Sequence, residues 1–390
     1  MSKRKLTEQE AAEKPSKVRT IRPDYNTPAA KWNRGHFSEL QKLMMNDPEA
    51  DMRMELPLSY SRTLLLWKDN VIRTPAQAKA DHKPHPKSDP RLYMDATGPC
   101  NVIHAPSSTL ESLLPIRDTL SEAIIDLLDA GEVLHTFGSR MVLRVGPTVV
   151  AKISCTDRAL SAEYEALVYL AANLPSLPVP KPHGMVDFGP RRVLFTDFVP
   201  GQTMEATWPS LSVEEKIGLS KDLDRMFVAL RELPMPEGEV LGSLDGSGCV
   251  DNRRFERRNE EPIVTVKEFV DHYFQGYRGS APTYTKLMRS LLPGDAEDAK
   301  VVFTHSDLRP ANIMVQRIEG EEGKWEITGV IDWESSGWYP EWWEAAKMTN
   351  CMIAGDRWNW YEYLPECCGP TKYSGYWLLD RVWDRTMQNS

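Results

Sequence analysis

The segment HSDLRPAN, residues 305–312, places a carboxylate five residues before an amide in a loop between two strand-like runs. A third polar group, Asp332, follows at the end of a later strand-like run, in VIDWE. The carboxylate of Asp307 can accept the proton of an attacking hydroxyl, and the oxygens of Asn312 and Asp332 suit Mg²⁺, which takes few protein ligands. Each side chain alone is as well explained by ordinary loop contacts. Together they predict a phosphoryl-transfer site, which needs an oriented hydroxyl, a metal on the phosphates and nearby cations.

Lys152 lies inside an apolar strand-like run, TVVAKIS, where a lysine is costly to bury without a partner. It shares a face with Val150, because alternate residues of a strand point the same way. A functional Lys152 would contact the α- and β-phosphates of a nucleotide. The alternative is an edge-strand lysine that reaches solvent.

Helix geometry selects a partner for Lys152. The helix predicted over 159–174 carries two acidic candidates, Glu163 and Glu165. At about 100° per residue, Glu163 falls on the inward stripe and Glu165 on the opposite side. The stripe consists of Leu167, Leu170 and Leu174. We therefore expect Glu163 to meet Lys152, the alternative being a boundary residue at the edge of the stripe.

The elements around these residues predict an α+β fold with two lobes. An amphipathic helix at 119–130, five strand-like runs and the helix with Glu163 indicate a five-stranded antiparallel sheet. After Pro200 the pattern is mainly helical, with a strand-like hairpin near the chemical motif. The strand-like runs of the first lobe are 133–137, 140–145, 148–154, 183–188 and 192–199, and those of the second are 301–303, 313–318 and 325–332. A cleft between two lobes is a usual ligand site.

Composition divides the chain into four segments. Residues 1–28 are polar with few large apolar groups, which predicts a disordered tail. Residues 29–118 form an extension rich in proline and isolated aromatics, expected to wrap a neighbouring core. The sheet lobe follows at 119–200 and the mainly helical lobe at 201–390.

The set of Lys152, Glu163, HSDLRPAN and IDWE resembles the aminoglycoside phosphotransferase and choline kinase-like family, and its fungal members especially. The similarity covers about residues 120–350 and is most specific over 303–343. It implies a two-lobed protein-kinase-like fold. It also implies ATP- and Mg²⁺-dependent transfer of the γ-phosphate to a hydroxyl of a small molecule, such as an aminoglycoside, a choline-like compound or another metabolite.

The resemblance also implies roles for individual residues. Asp307 would be the catalytic base. Asn312 and Asp332 would be the metal ligands, and Lys152 with Glu163 would position the phosphates.

The run RVLFTDFVPGQTM matches the hinge of that family and implies a nucleotide site. Thr196 would be the gatekeeper, and backbone atoms of Asp197 and Val199 would bond adenine. Val150 would form part of the roof over the ring, and Ser139 would lie in the short turn near the nucleotide.

Departures from the family and from protein kinases narrow the choice of activity. The first turn offers only Gly138 and Ser139 instead of GxGxxG, and Ser306 stands where the family often has glycine. IDWE replaces DFG, and there is no APE-like activation segment, so a protein substrate is disfavoured. A catalytically silent nucleotide-binding protein is the other alternative. Retention of all five chemical residues argues against it.

The sequence pattern leaves two roles open for residues of this loop. His305 is expected to brace the loop by hydrogen bonding rather than to act in catalysis. Arg309 either approaches the phosphate or substrate as a cation, or pairs with Glu334.

Residues on the helical side could contact the acceptor. The aromatic and acidic residues after Asp332 either bind a cationic amine or a sugar, or pack as core. They are Trp333, Glu334, Trp338, Tyr339, Glu341, Trp342 and Trp343. The charged residues Asp251, Arg253 and Arg254 either reach the cleft or are solvated.

Bulk properties disfavour several classes of protein. The chain has 390 residues, a net charge of −9 and a charged fraction of 26%, as in globular proteins. An acidic surface repels a phosphate backbone, so no nucleic-acid partner is expected. No apolar run is long enough for a membrane span, and the charged start predicts a cytoplasmic protein. The six cysteines include no CxxC pair, which disfavours zinc. The oligomeric state is not indicated.

Overall fold

A computed structural model describes residues 28–46, 89–94, 98–137, 140–155, 158–251, 259, 261–275, 281–320, 323–352 and 358–388. The chain splits into two compact units, residues 1–83 and 84–390. In the first unit the described residues form one helix, α1 (Pro28–Asn46), which the sequence pattern did not predict. The tail expected over residues 1–28 lies outside the described residues except for Pro28.

The second unit begins with a lobe built on an antiparallel sheet. Its strands are β1 (Asn101–His104), β2 (Glu132–Phe137), β3 (Arg140–Arg144), β4 (Val149–Cys155), β5 (Pro182–Phe188) and β6 (Arg191–Asp197). Their order is β1-β5-β6-β4-β3-β2. The helices of this lobe are α2 (Ser108–Glu111), α3 (Leu120–Asp129) and α4 (Arg158–Asn173).

The prediction of five strands was wrong by one, because β1 adds a sixth. β1 pairs with β5, with Asn101 opposite Asp187 and Val102 opposite Val186. None of its four residues is fully buried, so no alternation of apolar and polar residues marks the strand. The sheet therefore includes residues that were expected to belong to the extension.

One face of the sheet is covered by the helix that precedes β2. Val149, Ala151 and Ile153 alternate along β4 and are almost fully buried on this face. They share a cluster with Ile124 and Leu128 of α3. α3 begins with a capping box, in which Thr119 and Glu122 satisfy each other's backbone N–H groups. This packing leaves the intervening residues of β4 to face the opposite layer.

The opposite face of the sheet receives α4. Leu160 of α4 packs with Met185 of β5 and Leu194 of β6 in a small buried cluster. Leu194 is the register partner of Lys152, so this face also carries the lysine. The sheet therefore separates α3 from α4, and Lys152 lies on the face that α4 covers.

The second lobe is mainly helical. Its helices are α5 (Met204–Thr207), α6 (Val213–Arg231), α7 (Val266–Phe274), α8 (Pro282–Ser290), α9 (Trp343–Lys347) and α10 (Ser374–Gln388). Its strands are β7 (Gln202–Thr203), β8 (Val301–Thr304), β9 (Ile313–Arg317), β10 (Trp325–Val330) and β11 (Gly337–Pro340). They form a three-stranded sheet, β10-β9-β7, and a pair, β11-β8. The predicted hairpin is β9 with β10, and the loop between β8 and β9 carries HSDLRPAN.

The structure also bears on membrane association. Among the helices in the described ranges, none combines the length and the apolar character needed to cross a bilayer.

Candidate active site

The loop between β8 and β9 holds Asp307 and Asn312 against each other. Asn312 Nδ2 donates to the backbone oxygen of Asp307 at 2.9 Å and to its Oδ2 at 3.1 Å. Ser306 has a φ of 64°, a left-handed conformation that is uncommon outside glycine. Glycine would adopt this conformation without strain, which gives a physical reason for the family preference at that position. The five-residue spacing thus brings the amide back onto the carboxylate.

Burial raises the pKa of Asp307 to about 6, and the charge of Asp332 acts in the same direction. Arg309 and the hydrogen bond from Asn312 act in the opposite direction and limit the rise. A pKa closer to neutrality than that of an ordinary aspartate suits a group that accepts a proton near pH 7. Asp307 is therefore ionised at neutral pH and more basic than an exposed aspartate.

His305 braces the loop, as expected from the sequence. Its Nδ1 accepts from the backbone N–H of Asp307 at 3.2 Å, and its Nε2 lies 3.0 Å from the backbone oxygen of Ile331. These partners fit a neutral ring with its proton on Nε2. Burial lowers the pKa of His305 to about 4, which keeps the ring neutral. The imidazole thus ties the loop to the strand end that precedes Asp332.

Glu344 on α9 holds the same loop from the other side, and it was not among the residues predicted for the site. Its Oε2 accepts from the backbone N–H of His305 at 2.7 Å and from that of Ser306 at 3.2 Å. Its side chain is buried, and burial raises its pKa to about 7, although both backbone donors oppose the rise. In the sequence it is one acidic residue in a Trp-rich run, and no local signal marks it.

Glu344→Gln should weaken the dependence of stability on pH. Burial raises the pKa of Glu344 from an ordinary 4.5 to about 7. Between these values the folded chain binds more protons here than the unfolded chain, so stability falls as pH rises through this window. Glutamine does not ionise. We expect the free energy of unfolding, measured with urea, to fall less from about pH 5 to about pH 8 in the variant. An equal or steeper fall would contradict this. Glu341→Gln, which removes a carboxylate bonded to Tyr373 instead, is the control.

Lys152 lies between two carboxylates that come from different elements. Its Nζ is 2.6 Å from Glu163 Oε1 on α4 and 3.3 Å from Asp332 Oδ1. The pairing with Glu163 is the one predicted from helix phase. Glu165 instead lies 3.5 Å from His104 of β1. Glu163 is fully buried, so Lys152 supplies the compensating charge it needs.

The pKa values of this group follow from burial and mutual charge. Burial works against the ammonium of Lys152, but Glu163 and Asp332 outweigh it and raise the pKa. Burial likewise opposes ionisation of Asp332, but the nearby basic groups, with Lys152 foremost, together outweigh it and lower the pKa. Burial raises the pKa of Glu163 against the pull of Lys152. The lysine and Asp332 are thus held in their charged forms.

Asp332 is joined through the backbone to the loop that carries Asp307 and Asn312. The N–H of Ile331 donates to the backbone oxygen of Asn312 at 2.9 Å. Asp332 has a φ of 71°, again in the left-handed region, at the start of a 3-10 turn. The structure therefore connects Glu163, Lys152 and Asp332 with the loop of Asp307 and Asn312.

The side-chain oxygens of Asn312 and Asp332 fit Mg²⁺ as ligand atoms. In the described part of the chain, no side chain or backbone group donates to Asn312 Oδ1 or Asp332 Oδ2. Mg²⁺ prefers hard oxygens and is usually bound by one or two protein ligands together with water and substrate phosphates. Across the described ranges, no group of three or more His, Cys, Asp or Glu side chains could hold a metal by itself. A site of two protein oxygens is consistent with that.

The predicted hinge lies at the end of β6. Val150 and Thr196 are register partners and both are buried. The N–H of Asp197 already donates to the backbone oxygen of Lys181 at 2.9 Å. Its carbonyl accepts from Thr196 Oγ1 at 3.4 Å and, as a backbone oxygen with two lone pairs, has room for one further donor. Val199 packs so closely on Gly329 that an added Cβ there would lie 2.6 Å from a Val199 methyl.

Ser139 lies outside the described residues, so its predicted place in the turn near the nucleotide is not addressed by the structure.

Glu334 and Arg309 do not pair with each other, which was one of the two alternatives considered from the sequence. Arg140 Nη1, on the first residue of β3, lies 2.7 Å from both carboxylate oxygens of Glu334. Arg309 Nε instead lies 3.5 Å from Asp307 Oδ2. The pairing of Arg309 with Glu334 is therefore wrong, and Arg309 is the cation next to the predicted base.

The aromatic residues after Asp332 pack as core. Trp333, Trp338, Tyr339, Trp342 and Trp343 each expose 2% or less. The structure thus favours the packing alternative over an acceptor-binding surface for these rings.

The charged loop that could have reached the cleft is only partly described. Asp251 is buried and lies 2.8 Å from Lys347 Nζ. Arg253 and Arg254 lie outside the described residues.

Comparisons with known proteins identify the family of the chain. Residues 132–364, more than half of the chain, match the sequence profile of the family described as "Phosphotransferase enzyme family". A comparison with curated proteins gave no match.

Several solved structures resemble the chain. A ternary complex of APH(2″)-IIa with streptomycin and ATP has 12% identity and a TM-score of 0.45, covering 69% of this chain and 91% of that one. An aminoglycoside-3′-phosphotransferase of type VIII has 17% identity and a TM-score of 0.39, covering 66% and 92%. APH(3″)-Id from Streptomyces rimosus, with ADP and streptomycin, has 18% identity and a TM-score of 0.40, covering 69% and 96%.

The family assignment rests on the profile match, which spans β2 to the segment after α9 and includes every residue of the candidate site. By that match and by its two lobes, the chain belongs to the phosphotransferase enzyme family and has a protein-kinase-like fold.

Proposed function

We propose that this protein is an ATP- and Mg²⁺-dependent phosphotransferase that moves the γ-phosphate of ATP to a hydroxyl of a small molecule. One observation carries the proposal. Segments far apart in the chain bring Asp307, Asn312, Asp332 and the ion pair of Lys152 with Glu163 into one connected group, and phosphoryl transfer needs groups of these kinds together.

Asp307 would accept the proton of the attacking hydroxyl. Its carboxylate is oriented by Asn312, and its loop is held by His305 and Glu344. Arg309 lies beside the carboxylate, where a cation can offset negative charge that develops during transfer. The loop therefore orients the acceptor group with little need to reorganise.

Lys152 would contact the α- and β-phosphates, with Glu163 fixing its position from α4. Asn312 and Asp332 would hold Mg²⁺ through the two oxygens that the chain leaves available. When bound there, the metal would supply positive charge that offsets part of the charge of the phosphates.

At the hinge, the carbonyl of Asp197 and the N–H of Val199 would bond adenine. Val150 would lie over the ring, and Ser139 would lie in the turn near the phosphates. The N–H of Asp197 is occupied by Lys181, which supports the carbonyl as the bonding group.

Two measurements test the proposal. ATP with Mg²⁺ should raise the melting temperature, because a ligand that binds only the folded state stabilises it. A screen of hydroxylated and amino-sugar metabolites with γ-labelled ATP should then find a labelled product. Asp307→Ala serves as the negative control. The slow ATP hydrolysis of the wild type should be absent in this variant. Stabilisation without turnover on any acceptor would favour a silent nucleotide-binding protein. The absence of stabilisation would contradict the proposal as a whole.

A further inference from the structure

Arg140 occupies a special position at the start of β3. It follows directly on residues 138–139, where protein kinases have a longer glycine-rich loop. It is the register partner of Phe137 on β2. Val142, two residues further along β3, is the register partner of Lys152. Because alternate residues share a face, Arg140 and Lys152 lie on the same face of the sheet.

The register also orders these residues along the cleft. Val150, at the hinge end, is paired with Arg144, and Lys152 is paired with Val142. Arg140 lies two residues beyond Val142, which is about 6.6 Å further from the hinge at the rise of a strand. If adenine lies at the hinge and Lys152 meets the α- and β-phosphates, this position corresponds to the end of the triphosphate.

The present partner of Arg140 resembles a phosphate in its chemistry. One nitrogen of the guanidinium, Nη1, lies 2.7 Å from both oxygens of the Glu334 carboxylate. Phosphates, like carboxylates, present oxygen acceptors to the N–H groups of arginine. Glu334, the partner of Arg140, lies two residues after Asp332, the proposed metal ligand. Arg140 comes from one lobe and Glu334 from the other, so the ion pair joins the two lobes.

Resting on the proposed function, we infer that Arg140 is a γ-phosphate-binding residue that exchanges Glu334 for the terminal phosphate when ATP binds. It supplies by a side chain what a longer glycine-rich loop supplies by backbone N–H groups. The exchange makes the site respond to the third phosphate, which distinguishes ATP from ADP.

Calorimetric titration tests this with two probes, Mg²⁺-ADP and the Mg²⁺ complex of the nonhydrolysable imido analogue of ATP. Arg140→Met should weaken binding of the analogue by about tenfold or more and binding of ADP by less than about threefold, because only the analogue carries the third phosphate. Arg140→Lys should give an intermediate loss, because it keeps the positive charge but not the planar guanidinium with its several N–H donors. Arg225→Met, which removes an exposed arginine from α6, is the control for net charge.

Glu334→Gln gives an independent test that leaves Arg140 in place. It removes the competing anion, so this variant should bind the analogue at least as tightly as the wild type. Weaker analogue binding in this variant would overturn the exchange. Melting temperatures of all variants establish that each is folded.

The outcomes separate the two proposals. If the wild type binds neither probe, the proposed function itself is contradicted. If the wild type binds both probes, and Arg140→Met weakens the binding of both equally or of neither, only the role of Arg140 is overturned.

Discussion

Asp307→Asn should lower kcat for phosphate transfer by about 10²–10⁴-fold, the range that a positioned acid–base group contributes. The amide keeps the size of the side chain but cannot take a proton. Asp307 Oδ2 accepts from Asn312 at 3.1 Å and lies 3.5 Å from Arg309. Neither partner belongs to the proposed adenine site, and the amide oxygen that replaces the carboxylate can still accept from Asn312, the proposed metal ligand, so nucleotide affinity should change little. The measurement is steady-state turnover of ATP, together with calorimetric nucleotide binding.

A matched control exists on α6. The side chain of Asp222 exposes 32%, the same fraction as that of Asp307, and its partner Arg225 is a surface residue. Asp222→Asn should leave turnover unchanged. If Asp307→Asn kept more than about a tenth of the wild-type kcat, Asp307 would not be the base.

Lys152→Met should reduce both stability and nucleotide binding. The substitution leaves Glu163, which is fully buried, without the ammonium 2.6 Å away. Removing one partner of a buried ion pair costs about 3–5 kcal/mol in the free energy of unfolding. Binding of Mg²⁺-ATP should be lost as well, because the proposed contact with the α- and β-phosphates is gone. Urea unfolding and calorimetry measure the two effects.

A double variant separates the two consequences. In Lys152→Met with Glu163→Leu, the buried carboxylate of Glu163 is removed together with its partner, so most of the lost stability should return. Nucleotide binding should stay lost, because the methionine cannot hold a phosphate. Recovery of binding in the double variant would mean that Lys152 serves only to neutralise Glu163. Failure to recover stability would mean that the buried charge is not the cause of the loss.

Local patterns predicted a large part of the candidate site. Glu163 could be chosen over Glu165 because the phase of a helix follows from residue spacing alone. The spacing of Asp307 and Asn312 within one loop similarly predicted that they would act together, and the structure joins them by two hydrogen bonds. In each case the deciding contact is made within one loop or between neighbouring elements of one lobe.

Contacts that depend on packing between distant segments were missed. Glu344 meets His305 across 39 residues, and Arg140 meets Glu334 across 194. The periodicity of a sequence does not predict which of several nearby carboxylates will contact a loop on another element. β1 was missed for a related reason, because its residues are partly exposed and carry no apolar alternation.

By itself, the sequence determined which chemical groups are available to this protein: the carboxylates of Asp307 and Asp332, the amide of Asn312, and Lys152 paired with Glu163, carried on an α+β fold with two lobes. Residue type and spacing decide these, since they depend on bonding capacity and on the phase of helices and strands. Only the tertiary structure decided that Arg309 faces Asp307 and not Glu334, and that the rings after Asp332 are core and not surface. Burial and long-range ion pairs arise only when the lobes pack, because they depend on which surfaces exclude water from each other.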